Sequence, residues 1–190
     1  MDESDGILWG ESLSVSDVCL PLEYKNVLVP ITFECEMTEL TREDVEAKVS
    51  AGESLSGADL SGAFLWEAKL GNARLQNADM SEVKLVRADL RGAKLIRADL
   101  NQAVLCEADL RGADLFSANL NCADLRASDL RTAYLSRAYL GGADLRDANL
   151  SNVDLSSAFL SGTKLRKAIY NSETKWPHGF DPEAAGAVFV

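Results

Sequence analysis

Residues 58–67 read Ala58-Asp59-Leu60-Ser61-Gly62-Ala63-Phe64-Leu65-Trp66-Glu67, and the same five-residue pattern continues to Tyr170. The pattern makes 23 units, of which 21 have Leu at the middle position and 19 have Ala two residues earlier. Self-similarity at a fixed period is the sequence signature of a solenoid. The sequence therefore predicts a repeat domain over these residues.

A period of five excludes both a long α-helix and a single straight strand. Residues five apart on an α-helix are rotated by about 140° from one another, so the leucines would leave no continuous apolar stripe. In a strand, leucines an odd number of residues apart would point to opposite faces. The chain must therefore turn after every unit, with Ala and Leu, two residues apart, both pointing inward.

The residues two positions after each Leu lie at the corners and predict the number of sides. At positions 62, 72 and so on to 162, seven of eleven are Gly or Asn, whereas in the interleaved set from 67 to 167 only Asn77 is. Gly and Asn tolerate the positive φ that a type II turn requires at its third residue. We infer that alternate corners differ in type, which implies an even number of sides. Four is the smallest number that encloses a core, so one coil takes 20 residues.

The run of Ala-[Asp/Asn]-Leu-x-x units resembles the pentapeptide-repeat family, and the ending from Trp176 to Gly186 is similar to the tails of cyanobacterial members. This resemblance implies a right-handed quadrilateral parallel β-helix. We expect an all-β solenoid of about six coils, with a short N-terminal cap helix and a short C-terminal helix. The predicted segments are an acidic, partly β extension (1–40), the cap helix (41–52), the β-helix (53–172) and a C-terminal cap segment (173–190).

Both flanks of the repeats carry helix signals. Thr41 is a candidate N-cap with Asp44 three residues on, and Gly52 is a stop signal. At the other end, Asp181 and Pro182 predict the N-cap and first residue of a last short helix. Caps of this kind keep a solenoid from polymerising through its open ends.

The net charge of −11 belongs to the ends of the chain. Residues 1–52 carry 12 acidic and 3 basic residues, residues 53–172 carry 15 and 15, and residues 173–190 carry 3 and 1. The 20-residue period places three Asp residues beside three Arg residues on one face, which predicts a ladder of weak, solvated ion pairs. These are Asp89, Asp109, Asp129, Arg91, Arg111 and Arg131.

The cysteines and the single histidine show no metal or catalytic pattern. Cys19, Cys35, Cys106 and Cys122 contain no C-x-x-C pair, and none is paired with His178. We therefore expect reduced thiols, no metal site and no cofactor. No apolar run reaches the roughly 18 residues of a membrane span, and the N-terminus lacks the basic region of a signal peptide. The sequence predicts a cytoplasmic location.

Two groups of apolar side chains are expected on the outside of the coils. The first is a strip made of Phe64, Trp66, Val86, Val104 and Cys106. The second is a C-terminal cluster made of Tyr134, Tyr139 and Phe159, with Ile169 and Tyr170. Exposed contiguous apolar surface marks a contact. Each group is either an interaction surface or is covered within the chain, the strip by residues 26–37 and the cluster by the tail around Trp176 and Phe180.

These observations predict a non-enzymatic protein-interaction or scaffold module. The sequence has no nucleophile–base pattern, P-loop, dinucleotide fingerprint or EF-hand spacing. The expected partner is an unidentified protein or a second copy, with no small-molecule substrate, no membrane and no nucleic acid, since the chain lacks a basic cluster. The alternative, implied by the resemblance, is a DNA mimic that modulates DNA gyrase or a related topoisomerase. The charge balance of the repeats argues against it, although the acidic extension could supply a negative field locally.

Overall fold

The structure, a computed structural model, describes residues 40–190. The predicted extension and its β-prone segment 26–37 lie outside the described residues, apart from Leu40. Three regular elements are present in the described range: α1 (Arg42–Ser50), β1 (Ile169–Tyr170) and β2 (Val188–Phe189). The repeats between α1 and β1 consist of tight turns joined by parallel pairs of single residues. The division of the chain into four segments stays a prediction.

Each coil is hydrogen-bonded to the next through residues 20 positions apart. Asp109, for example, pairs in parallel with Asp89 on one side and with Asp129 on the other. The Leu110 N–H donates to the Asp129 carbonyl at 2.8 Å, and the Asp129 N–H donates to the Ala108 carbonyl at 3.0 Å. Since each side is one five-residue unit, four sides close one coil, and the outward residues stack into four columns.

We name the four faces by these stacked outward residues. Face A holds Ser54, Arg74, Lys94, Asp114, Tyr134, Asp154 and Lys175. Face B holds Asp59, Asp79, Asp99, Asn119, Tyr139 and Phe159. Face C holds Phe64, Lys84, Val104, Asp124, Asp144 and Lys164. Face D holds Lys69, Asp89, Asp109, Asp129, Asn149, Ile169 and Val188.

The interior is a stack of leucines and small residues. Leu90, Leu110 and Leu130 occupy one side of three successive coils and are fully buried, as are most of the alanines two residues before each Leu. Full burial of a Leu side chain contributes about 1.5–3 kcal/mol. The inward positions therefore supply the hydrophobic stabilisation, and the outward positions are left to carry function.

The prediction that alternate corners differ in type is wrong. Every corner from Gly62 to Lys167, in both interleaved sets, has φ between 55° and 72°, and 17 of these residues are not glycine. A left-handed conformation costs a non-glycine residue roughly 1–2 kcal/mol. A hydrogen bond closes every one of these turns, and at most corners a second one joins the corner to the next coil. At Arg87, for example, the Ala88 N–H donates to the Leu85 carbonyl at 3.1 Å, and the Arg87 N–H donates to the Cys106 carbonyl at 3.1 Å. All corners are thus alike, and four sides follow from the pairing alone.

Helix α1 begins and ends where the sequence signals place it. Thr41 and Asp44 form a reciprocal capping box, and Gly52 follows the helix with φ 71°. The helix contacts the first coil through Glu46, whose Oε1 accepts from the Lys69 N–H at 2.8 Å. This hydrogen bond holds the pKa of Glu46 below its ordinary value. The contact with α1 therefore provides an acceptor for the Lys69 N–H, which would otherwise be unpaired at the open N-terminal end of the β-helix.

The predicted C-terminal helix does not form. Asp181 accepts from the Ala184 N–H at 3.0 Å like an N-cap, but the chain makes only turns before Gly186, where φ is 89°. From there it extends as β2, and Val188 and Phe189 pair in parallel with Ile169 and Tyr170 of β1. The end of the chain is therefore an extended strand paired with the last coil, where the sequence predicted a short helix.

Candidate functional site

The apolar strip predicted on face C is exposed only at its N-terminal end. Phe64 and Trp66 are 59% and 46% exposed and meet edge to face, with ring centres 5.9 Å apart. Val86 is half-buried. Val104 and Cys106 are both 1% exposed although they occupy outward positions of the coil, so these two residues are covered and do not belong to an exposed surface. The proposed cover, residues 26–37, lies outside the described residues.

The cysteines differ in state. Cys106 is disulfide-bonded, which contradicts the expectation of reduced thiols at this position. Cys122, at a corner of the coil, is free and exposed. The cytoplasmic location, which rests partly on reduced thiols, stays a prediction.

The aromatic cluster of the C-terminal half splits into a covered and an exposed part. Tyr170 is buried, with its ring 5.5 Å from those of Trp176 and Phe189, so the tail covers this residue. Tyr139 and Phe159 are not covered: they are 46% and 55% exposed. Their rings stack 4.9 Å apart at an interplanar angle of 6°.

Tyr134 extends this exposed surface around one corner onto face A. It is 58% exposed and lies in the same coil as Tyr139. The corner residue between them is Arg137, whose guanidinium lies 5.6 Å from the ring centre of Phe116. We call Tyr134, Tyr139 and Phe159 the aromatic patch. Arg137 and Phe116 were not among the residues singled out by the sequence, although their separation of one coil plus one residue makes them neighbours.

Face D carries the predicted ion-pair ladder. Arg91 binds Asp89 through two hydrogen bonds of 2.8 and 2.6 Å and approaches Asp109 of the next coil at 3.7 Å. Arg111 repeats the arrangement one coil on. The hydrogen bonds from Arg91 hold the pKa of Asp89 below its ordinary value. Both carboxylate oxygens of these acids already accept from an Arg of the same face, so a partner's base would have to compete with that Arg.

The repeats of residues 53–172 have no net charge, but their charges are distributed unequally among the four faces. We assign each unit of residues 53–172 to the face of its outward residue. Face B units contain four acidic residues and no Lys or Arg, namely Asp59, Asp79, Glu82 and Asp99. The other three faces carry four bases against three acids on A, seven against five on C, and four against three on D. The net charges are therefore −4 on face B and +1, +2 and +1 on the others.

Metal-binding side chains do not cluster in the described part of the chain. Within residues 40–190, no group of three His, Cys, Asp or Glu side chains is placed to hold a metal ion. His178 is an exposed residue of the tail. No helix in that range is long and apolar enough to span a bilayer.

Comparison with protein families gives one match. The model described as "Pentapeptide repeats" matches in eight copies, over residues 54–92, 93–131 and 133–169. The comparison with curated proteins gives no match.

Several solved structures are similar to the chain. The pentapeptide repeat protein alr5209 from Nostoc PCC 7120 is 31% identical, over 82% of this chain and 100% of its own, with a TM-score of 0.40. The pentapeptide repeat protein Rfr23 from the cyanobacterium Cyanothece 51142 is 26% identical, over 72% and 99%, with a TM-score of 0.36. QnrB1, a plasmid-mediated fluoroquinolone resistance protein, is 20% identical, over 59% and 79%, with a TM-score of 0.25.

Proposed function

Since the chain belongs to the pentapeptide repeat family, whose fold is a right-handed β-helix solenoid, we propose that it is a non-enzymatic interaction module that binds a protein through the aromatic patch. The observation that carries the proposal is the exposure of three large aromatic side chains on one half of the rod, after the tail has covered Tyr170. Exposed contiguous apolar surface marks an interaction site, and aromatic residues dominate the binding energy of interfaces.

The rigidity of the coil supports this role. Tyr139 and Phe159 are bridge partners, and the Phe159 N–H donates to the Ala138 carbonyl at 2.9 Å. Their side chains are therefore presented by a hydrogen-bonded backbone rather than by a loop. A preorganised surface binds with less loss of conformational entropy, which favours recognition by flat, rigid faces.

Affinity capture with variants of the full chain tests the proposal. We expect Tyr139→Ser combined with Phe159→Ser to abolish capture of a protein that the unmodified chain retains from an extract of its own cells. The matched control is Phe64→Ser combined with Trp66→Ser, which removes two exposed aromatic residues from face C and should leave capture unchanged. If the Phe64 and Trp66 variant loses capture while the Tyr139 and Phe159 variant keeps it, the assignment to the aromatic patch is wrong.

A second candidate function is a DNA mimic that binds DNA gyrase or a related topoisomerase. The acidic character of face B favours it, because its four acids share a face with no base. The other three faces are net positive, however, so the described rod lacks the all-round negative field of a duplex. A gyrase supercoiling assay decides, since a mimic must change supercoiling at micromolar protein and an interaction module of another kind must not.

A further inference from the structure

Face B combines negative charge at its N-terminal end with exposed aromatic side chains at its C-terminal end. Its N-terminal half carries Asp59, Asp79 and Asp99, and its C-terminal half carries Tyr139 and Phe159, with Asn119 between them. The stacked residues of neighbouring coils are about 4.8 Å apart, so the acids span about 10 Å and Phe159 lies about 24 Å from Asp59. Charged and aromatic groups thus lie along one straight line on the same flat surface.

The three acids of face B differ from those of face D in what they bind. The Oδ1 atom of Asp59 accepts from the N–H and the hydroxyl of Ser61, at 3.0 and 2.7 Å. Asp79 is bound in the same way by Ser81. Within residues 40–190, neither carboxylate has an ion pair, and no hydrogen bond reaches either Oδ2. The serine hydrogen bonds hold the pKa of Asp59 below its ordinary value, so this side chain remains ionised.

Asp99 completes the row with a similar arrangement. Its Oδ1 accepts from the Asn101 N–H and from the Asn119 side-chain amide, both at 2.9 Å. Its Oδ2, like those of Asp59 and Asp79, accepts no hydrogen bond within the described residues. Neutral donors therefore fix the orientation of all three carboxylates and leave one oxygen of each unoccupied. A carboxylate held in this way is ready to accept a charged donor from outside.

The bases nearest face B do not neutralise the row. Arg97 and Arg137 are corner residues between faces A and B, and the guanidinium of Arg137 lies over Phe116, which belongs to a face A unit. Neither makes an ion pair with an acid of face B in the part of the chain that the structure describes. The side chains between the acids and the aromatic pair are small or uncharged, including Asn121 and Gly141. No Lys or Arg belongs to a face B unit, so the face itself carries no positive charge.

We propose that face B is the docking surface for a protein segment that carries Lys or Arg side chains at the end nearer α1 and aromatic or aliphatic side chains at the other end. The three unoccupied Oδ2 atoms would accept the basic groups, and the stacked Tyr139 and Phe159 rings would receive the apolar ones. Charge complementarity sets the direction of the segment and the apolar contact supplies most of the affinity. An extended segment needs about seven residues to cover 24 Å. The inference rests on the proposed function and adds the chemistry of the partner.

The test uses the full chain and a labelled peptide with three Lys or Arg residues, a Gly-Ser-Gly spacer and two aromatic residues. Fluorescence anisotropy should show that this peptide binds, and that its affinity falls about tenfold or more when its basic residues are replaced by Glu or its aromatic residues by Ser. On the protein, Asp59→Asn, Asp79→Asn and Asp99→Asn together should weaken binding to a similar degree and reduce its dependence on salt. An amide oxygen still accepts from the same serine and asparagine donors, so the fold should be retained.

The control variant combines Asp147→Asn with Glu173→Gln, which removes two exposed charges outside face B and should leave binding unchanged. If the Asn variants bind the peptide as tightly as the unmodified chain while Tyr139→Ser with Phe159→Ser still loses protein capture, the basic character of the partner is wrong and the proposed function stands. If the variant with Tyr139→Ser and Phe159→Ser also keeps protein capture, both the basic character of the partner and the proposed function are wrong. If sedimentation instead shows a dimer that the aromatic variant dissociates, face B binds a second copy and the inference is overturned.

Discussion

Replacing Leu110 with Ala will lower the free energy of unfolding by about 2–5 kcal/mol. Leu110 is fully buried in the middle of the rod, one coil from Leu90 and one from Leu130. The hydrogen bonds that join its coil to both neighbours prevent the wall from collapsing into the space left by the missing side chain. The loss therefore includes both the transfer free energy of the removed carbons and the cost of a cavity. Urea unfolding followed by circular dichroism measures it.

Leu160→Ala is the matched control for this prediction. Leu160 occupies the same inward position of its unit but lies near the C-terminal end and is only half-buried. We expect a loss of about 1 kcal/mol, because less apolar surface is returned to water and the site can relax. Equal losses at Leu110 and Leu160 would mean that the leucines of the middle coils are not packed in a continuous core.

Proline at position 94 will destabilise the protein, whereas proline at position 96, two residues on, will be tolerated. The Lys94 N–H donates to the Ala73 carbonyl at 2.8 Å, so Lys94→Pro removes the bond and leaves a carbonyl between coils without its donor. An unsatisfied buried group of this kind costs about 1–3 kcal/mol. Ile96 lies second in the turn that the Ala98 N–H closes onto Leu95 at 3.0 Å.

The second position of a turn whose third residue has positive φ is one that Pro favours, and Arg97, the third residue, has φ 56°. Within the described residues, the Ile96 N–H donates no hydrogen bond that Pro would remove. Ile96→Pro should therefore change the free energy of unfolding by less than about 1 kcal/mol. The two variants are compared by urea unfolding, and the assignment of turns and ladders fails if position 96 proves the more sensitive.

Much of the fold follows from the repeat because one physical requirement is repeated in every unit. A Leu and a small residue two positions apart can both face inward only if the chain turns every five residues, and the outward columns then follow by counting. The prediction of two kinds of corner is wrong because Gly and Asn mark the positions where a positive φ costs little free energy. They do not mark every position where a positive φ occurs. Glu67 and Arg87 adopt it because hydrogen bonds between coils hold them there.

The candidate site was less predictable because exposure depends on contacts that are not periodic. Tyr139 and Phe159 could be placed side by side by counting 20 residues, but no count shows that the tail covers Tyr170 and stops short of them. Val104 and Cys106 occupy outward positions, and the five-residue repeat does not explain why they are buried. The acidic character of face B, in contrast, is present in the sequence and becomes visible only when charges are summed by face rather than by segment.

Disulfide formation between introduced cysteines tests the 20-residue coil most directly. Arg74 and Lys94 are bridge partners on face A, and the spacing of neighbouring strands, about 4.8 Å, lies within the Cα separations of disulfides. Lys84 lies on face C, on the other side of the coil. With Cys122→Ser in both proteins, Arg74→Cys with Lys94→Cys should cross-link almost completely under mild oxidation. Mass spectrometry of the linked peptides distinguishes this bond from one to a native cysteine. The variant with Lys84→Cys and Lys94→Cys should not, and cross-linking of residues 84 and 94 in place of 74 and 94 would contradict a coil of four five-residue sides.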